Sequence, residues 1–402
     1  MHGSFDALWS DLLDVGRDAT SGGYRRFTGT AAELTCREWF IAQAGARGLD
    51  IETDRNGNLW AWHAPDAPGR AIVTGSHLDS VPDGGAYDGP LGVIAAFAAF
   101  DELAARDALP AGPFAVVAFV EEEGARFGVP CLGSRLLTGA LDADAVRGRR
   151  DGDGVDVATA WSALGVPAAG LGPDPERLAR IGVYLELHVE QGRGLVHSGH
   201  PIGVAGGLRP HGRWRLSFRG APDHAGTTAL VDRFDPMLTF ARCVLEAREA
   251  AAQHDAVATV GRVRVLPNAT NVIPSAVEAW LDARADAEAS VHAVVAEVAA
   301  RAAANAAIDG VTLDVVEESF SPAVRFDVGL AGRLAARLGG APVLDSGAGH
   351  DAGILAAAGV PTAMLFVRNP SGVSHAPAEH ADRDDCLAGV TALADCIAEL
   401  AP

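Results

Sequence analysis

At 402 residues the chain exceeds what one hydrophobic core usually supports, so two domains are expected. Nearly half of it is apolar, 49%, yet no apolar run reaches the length that spans a bilayer, so no membrane span is expected. The net charge of −20, with 32 basic side chains and no lysine among them, argues against nucleic acid or an anionic lipid surface as partner.

The opening Met-His-Gly-Ser-Phe-Asp lacks the basic-then-apolar pattern of a secretory leader. Five cysteines (36, 131, 243, 386 and 396), without Cys-x-x-Cys spacing, read as thiols of a reducing compartment, so a cytoplasmic location is expected. An amphipathic helix is predicted at 5–15 and a second at 31–47, then a strand pair within 50–62 turning at Asn56-Gly57. Apolar β-type runs follow at 71–74, 114–120, 182–187 and 363–367. Helical stretches lie between them, including 91–106, opened by Pro90, and 352–358. This alternation predicts an α/β fold, a catalytic α/β/α domain around a central, mostly parallel sheet. The stretch from about 212 to 324 reads differently: strand 213–219, helix 236–251, strands 256–266 and 276–282, helix 287–305. That order predicts a two-layer α+β domain at 212–325, inserted between the two parts of the first domain, 1–211 and 326–402.

The stretch 75–92 places His77, Asp79 and Asp88 in one loop after the run 71–74. Such a loop delivers an imidazole and two carboxylates to the carboxyl rim of the sheet, where sites form in open α/β folds. Nitrogen and carboxylate donors without thiolates suit a hydrolytic Zn²⁺, Mn²⁺ or Co²⁺ centre. Taken alone, the stretch also fits a polar turn whose Asp residues cap the next helix. Three more runs end alike, leading into Glu121-Glu122-Glu123, His188 and His375. Three imidazoles and several carboxylates suffice for two metals sharing one carboxylate, about 3.5–4 Å apart. His77 and Asp79 are two positions apart, so Asp79 is expected to accept from the second ring nitrogen of His77 and fix its tautomer. Glu122 and Glu123 are neighbours and face opposite sides of a strand, so one ligates while the other handles the proton of the attacking water.

Seven motifs occur in order: Gly-Ser-His-Leu-Asp-Ser-Val, Gly-Gly-Ala-Tyr-Asp-Gly-Pro-Leu-Gly, Glu-Glu-Gly-Ala-Arg-Phe, Leu-His-Val-Glu-Gln-Gly, His-Ala-Gly-Thr-Thr, Pro-Asn-Ala-Thr-Asn-Val-Ile-Pro and Gly-Val-Ser-His-Ala-Pro-Ala-Glu. From about residue 30 to 390 the chain thereby resembles the M20 peptidase-like metallo-amidohydrolases. The nearest branch is that of N-carbamoyl-L-amino-acid hydrolase, β-ureidopropionase and allantoate amidohydrolase. The resemblance implies a catalytic domain interrupted by a lid and dimerisation domain, a homodimer, and two divalent ions per protomer (Zn²⁺, Mn²⁺ or Co²⁺). One ion would take His77, Asp88 and a further ligand, the other Asp88, Glu123 and His188 or His375. Asp88 would bridge, Asp79 would stand behind the ligands, and Glu122 would be the general base. Gln191, His224, Asn271 and Arg284 match substrate-binding positions, with His224 also catalytic. The implied reaction hydrolyses a ureido C–N bond of a small carboxylate substrate, an N-carbamoyl amino acid or allantoate, with water as nucleophile.

Each of these residues also has a plainer reading. Arg284 offers a fork for a carboxylate or a surface salt bridge, His224 an oxyanion donor or a loop cap, and Asn271 a donor or a turn closure. His350-Asp351 reads as structural support, with Asp351 capping the following helix, and the histidines at 197, 200 and 211 need no metal. Two departures from the family, Thr-Thr-Ala-Leu after Gly226 and the polar Arg368-Asn369 before His375, bear on the substrate; Arg368 and Asn369 are expected to face it. The rivals are an N-acyl or N-formyl amino acid hydrolase or peptidase of the same superfamily, and a catalytically silent binding protein. The exact substrate, the native metal and whether lid residues serve their own or the partner's site stay open.

Overall fold

Strands buried on both faces are mostly apolar, and Ala71–His77, Phe114–Phe119 and Thr362–Val367 are buried at every position. The computed structural model describes residues 2–401, and side chains from residue 4 onward. With Ile181–Val189, these three strands form the parallel heart of a nine-stranded sheet. Across its middle the order is Leu59–His63, Phe114–Phe119, Ala71–His77, Ile181–Val189, Thr362–Val367, Ile202–Leu208. The first and last of these run antiparallel to their neighbours. Four parallel strands put their carboxyl ends on one rim. The chain steps from Ala71–His77 to Phe114–Phe119 on one side, then returns to Ile181–Val189 on the other. That reversal is the kind of switch point where a crevice opens.

The helix Pro90–Ala105 follows the first of these strands, with proline at its first position. Every residue from Pro90 to Phe100 is buried, as in a helix enclosed by core. Phe97 meets Trp39 and Phe40 edge-on at 5.9 and 5.1 Å. The first helix, His2–Leu12, ends three residues short of its predicted end. The buried Arg26 guanidinium explains the stop, donating to the carbonyls of Leu12 (2.8 Å) and Val15 (2.9 Å). The strands Asp50–Thr53 and Leu59–His63 pair as read, but through a five-residue loop. There the Asp54 carboxylate accepts from the amides of Asn56 and Asn58, both at 2.9 Å.

The chain divides into two compact units, Leu208–Val324 and the sequence on either side of it. The Leu208–Val324 unit holds a four-stranded antiparallel sheet, ordered Thr312–Ser321, His211–Arg219, Ala276–Ala285, Ala256–Leu266. The helices Pro236–Gln253 and Glu288–Asp309 pack on it. Trp214, Leu216 and Phe218 alternate into that core, while Arg213 and Arg219 point away. The edge strand Thr312–Ser321 is an element the sequence reading lacked. Helix Glu288–Asp309 is, among the described residues, the one long and apolar enough to cross a membrane. Its Val291, Val294, Val298, Ala302 and Ala306 face the sheet core instead.

Candidate metal centre

Strand register builds the site. Gly75 pairs with Glu186 across the two central strands. Two residues further on, each strand carries an imidazole, His77 and His188, with ring centroids 6.1 Å apart. Asp88, in the loop after His77, reaches both: its Oδ1 lies 3.5 Å from His77 Nε2 and 3.1 Å from His188 Nε2. The Asp88 Oδ2 faces His375 Nε2 at 3.3 Å, and Glu123 Oε2 lies 3.6 Å from the same nitrogen. Among the donor groups that result, His77–Asp88–His188 and Asp88–Glu123–His375 share Asp88, and His77 also groups with Glu122 and Glu123. Gly89 is required beside them. Its φ is +88°, and a Cβ there would sit 2.4 Å from the His77 ring.

Three of the donor atoms are aimed and unsatisfied. His77 Nδ1 lies 3.1 Å from the Asp79 carbonyl and His188 Nδ1 2.8 Å from the Val189 carbonyl, so each Nδ1 carries a proton and each Nε2 is left to face Asp88. Both Nε2 atoms, and Glu123 Oε1, are buried without a hydrogen-bond partner. Lone pairs turned on a shared carboxylate suit a cation, and the residues fit one. Charge crowding says the same. Burial, reinforced by Asp88, pushes Glu123 up to about 7. Burial, with Glu123, Asp351 and Asp79 adding to it against the pull of His77, holds Glu122 well above the usual carboxylate range. Burial opposes charge on His77, but Glu122, Asp79 and Asp88 around it hold it well above an ordinary imidazole. The carboxylate of Asp88 raises His375 to about 9.

Glu122 and Glu123 lie not in a strand but in a turn just past the end of strand Phe114–Phe119, and the turn brings an oxygen of each to His77, so the expectation that neighbours face opposite sides does not hold there. Glu121 turns the chain there with φ +54°, and its carboxylate accepts from the amides of Arg126 and Phe127, both at 2.9 Å. Glu122 Oε2 then lies 3.8 Å from His77 Nε2, and the Cys131 thiol donates to Oε1 at 3.2 Å. Asp79 stands behind His77 and does more besides. Its backbone carbonyl is the nearer partner of His77 Nδ1 at 3.1 Å, its Oδ1 lies 3.5 Å from the same nitrogen, and its two carboxylate oxygens also accept the amides of Glu122 and Glu123, each at 3.1 Å. Gln191 comes into the same cluster, its Nε2 donating to Asp88 Oδ2 at 2.8 Å.

His224, Asn271 and Arg284 belong to the Leu208–Val324 unit. His224 pairs with Val272 in a two-residue ribbon, and the Ala225 amide donates to the Asn271 carbonyl at 3.0 Å, so these two are neighbours. The exposed His224 accepts the Gly226 amide at Nδ1, 3.0 Å, which places its proton on Nε2. Arg284 lies along Asp282 on its own strand, Nε to Oδ1 2.7 Å and Nη2 to Oδ2 3.1 Å.

With that geometry in hand, the comparisons with known proteins are specific. The model of peptidase family M20/M25/M40 matches residues 73–399. The chain belongs to that family. It is 35% identical to an N-carbamoyl-L-amino acid amidohydrolase of Geobacillus stearothermophilus, over 98% of each chain. It is 33% identical to the allantoate amidohydrolase of Escherichia coli K12, over 97% of this chain and 96% of that one. The structure of AtUAH in complex with (S)-hydroxyglycine matches with a TM-score of 0.88 and 26% identity, over 100% of this chain and 97% of that one. An amidase of the hydantoinase/carbamoylase family from Burkholderia multivorans gives 0.85 and 28%, over 100% and 98%.

Within this M20 chain three sequence expectations are corrected. Arg368 does not face a substrate: its guanidinium is clamped by Asp385 at 2.8 and 3.0 Å. Asn369 is fully buried and closes its own loop, donating to the Val373 carbonyl and accepting the amides of Ser371 and Gly372. Asp351 does not cap the helix Asp351–Ala357, because Ser134 supplies a buried hydroxyl that draws its carboxylate inward. His350 was expected as structural support, whereas Ser374 and Glu379 carry no assignment from the sequence. His350 packs its ring 4.6 Å from that of His188 and joins Glu186 and His188 in a further donor group. Ser374 and Glu379 flank His375 in a motif that was read for its histidine alone, and their spacing from it was the available signal.

Proposed function

We propose that this M20 chain is a dinuclear metal-dependent amidohydrolase that cleaves a ureido C–N bond of a small N-carbamoyl amino acid or allantoate-like acid. The observation that carries this reading is the pair of donor groups sharing Asp88, with the Glu122 carboxyl beside them. His77 and His188 would hold one divalent ion, Glu123 and His375 the other, with Asp88 between. When bound, such ions supply Lewis acidity toward the carbonyl oxygen and lower the pKa of water. Glu122 takes the proton of the attacking water at Oε2 and delivers it to the departing nitrogen, a double role suited to a carboxyl held above its ordinary range. Asp79 keeps Glu122 and Glu123 at fixed spacing through their amides.

The Leu208–Val324 unit fills the place of lid and dimerisation domain in this reading. His224, carrying its proton on Nε2, donates to the developing oxyanion with Asn271 beside it. Arg284, steadied by Asp282, receives the substrate carboxylate, and Gln191 contacts substrate from the catalytic side. A cytoplasmic homodimer completes the proposal, in keeping with five buried free thiols. A panel of acids tests it. N-carbamoyl amino acids and allantoate should release ammonia, while N-acetyl and dipeptide substrates should turn over at least about 10²-fold more slowly, as when buried polar groups of a site go unpaired. Preferred release of a carboxylic acid without ammonia would make the chain an N-acyl hydrolase, and metal uptake without turnover of any of them a silent binder.

A further inference from the structure

Two loops, separated by nearly 300 residues of sequence, must meet for Asp88 to face His375. The loop carrying Asp88 follows strand Ala71–His77, and that carrying His375 follows strand Thr362–Val367. One side chain ties them. Glu379 is buried, 5% exposed, and its Oε1 accepts the amides of Tyr87 (2.8 Å) and Asp88 (2.9 Å). Its Oε2 lies 3.2 Å from the Ser374 hydroxyl, which also stands 3.2 Å from Asp88 Oδ2. The Asp88 loop is shaped to receive it. A Cβ on Gly85 would fall 2.4 Å from the Cβ, Cδ and Oε1 of Glu379. The His375 loop also needs holding, because His375 itself sits at φ +55°, a conformation that surrounding contacts must maintain. The Glu379 amide closes that turn onto the Ala376 carbonyl at 3.0 Å.

We infer that Glu379 is a positioning residue: it fixes the Asp88 backbone and Ser374 in one frame and so assembles the donor group Asp88–Glu123–His375. It is not itself among the grouped donors, since its oxygens are committed to the two amides and the hydroxyl. The other group, His77–Asp88–His188, takes its spacing from strand register and from carbonyls behind each imidazole. Loss of Glu379 therefore weakens the ion at Asp88–Glu123–His375 far more than the other, which shares Asp88 but keeps two imidazoles set by strand register. The inference rests on the proposed reading that both groups bind metal.

Cobalt uptake by the metal-stripped full-length chain tests it, read by elemental analysis and by the visible absorption of bound Co²⁺. Wild type should take up two ions. Glu379→Ala should keep one ion with little loss of affinity and bind the second at least about 10-fold more weakly than wild type does, the usual scale for residues that orient ligands. Glu379→Gln can still accept both amides at one oxygen and donate to Ser374, so it should restore the second ion. Ser374→Ala, a milder cut of the same tie, should weaken the second ion by a smaller factor and keeps the test open should Glu379→Ala not fold. Unchanged uptake of both ions in the variants that fold, or equal weakening of both, overturns the positioning role. A wild-type chain that takes up no cobalt instead overturns the reading of the centre, and the inference falls with it.

Discussion

Glu122 and Glu123 are adjacent in the chain; both approach His77, and Glu123 also approaches His375. Glu122→Gln keeps the shape and the Cys131 contact side by side but removes proton acceptance, so kcat should fall by at least about 10²-fold with metal content unchanged. Steady-state kinetics beside metal analysis reads this, and near-normal turnover would shift the base to a neighbour. The same cluster gives the metal-free chain a pH dependence. Glu121 and Glu123 rise from 4.5 to about 7 and His375 from 6.5 to about 9. For the carboxyls the folding penalty is absent below their unfolded value and complete above about 7. For His375 the gain is complete below 6.5 and lost as pH passes about 9. Both signs agree: the folded chain binds the extra protons, so its stability falls as pH rises through this window. Metal displaces those protons, so stabilisation by added metal grows with pH. The chelated protein should melt at a lower temperature at pH 8 than at pH 5.5, and added Zn²⁺ or Mn²⁺ should narrow the gap; a melting temperature rising with pH in the chelated protein would contradict this assignment of protons.

At the scale of elements, what matters is how loops on neighbouring strands are locked together. Asp79 joins the loop after Ala71–His77 to the turn after Phe114–Phe119 by accepting two amides with its two oxygens. Asn at this position presents an NH₂ to one of those amides, leaving a buried donor unmatched. Asp79→Asn should therefore cost about 1–3 kcal/mol in denaturant unfolding, with kcat/KM falling as both glutamates shift. A variant as stable as wild type but altered only in its pH profile would instead favour the role first read for Asp79, that of setting the His77 tautomer. The four strand ends that carry the clustered donors were legible because a buried parallel strand is a mostly apolar run, so each run pointed at the polar residue that ends it. The edge strand Thr312–Ser321 was not: Glu317-Glu318 interrupts its alternation where the register shifts. Partners distant in sequence were equally hidden. Nothing local to Asp351 announces Ser134, and nothing local to Arg368 announces Asp385.

For the whole molecule, strand order decides which residues meet. Parallel strands at a reversal of chain direction bring His77 and His188 together, and the loops around them add Asp88, Glu123 and His375. That much of the site was readable from motif order, whereas the division of ligands was not, because it depends on which loop leans toward which carboxylate oxygen. His188 groups with His77 and Asp88, and His375 with Asp88 and Glu123, while Glu123 also groups with His77 and Glu122, so the division belongs to the proposal. The roles of His224, Asn271 and Arg284 rest on the proposal for the Leu208–Val324 unit. The most direct test of a dinuclear amidohydrolase is to strip the chain of metal and titrate Co²⁺, Mn²⁺ or Zn²⁺ back while following ammonia release from an N-carbamoyl amino acid. Activity should be absent at the start, rise with added ion and level off at two ions per chain; full ammonia release from the metal-free chain would contradict it.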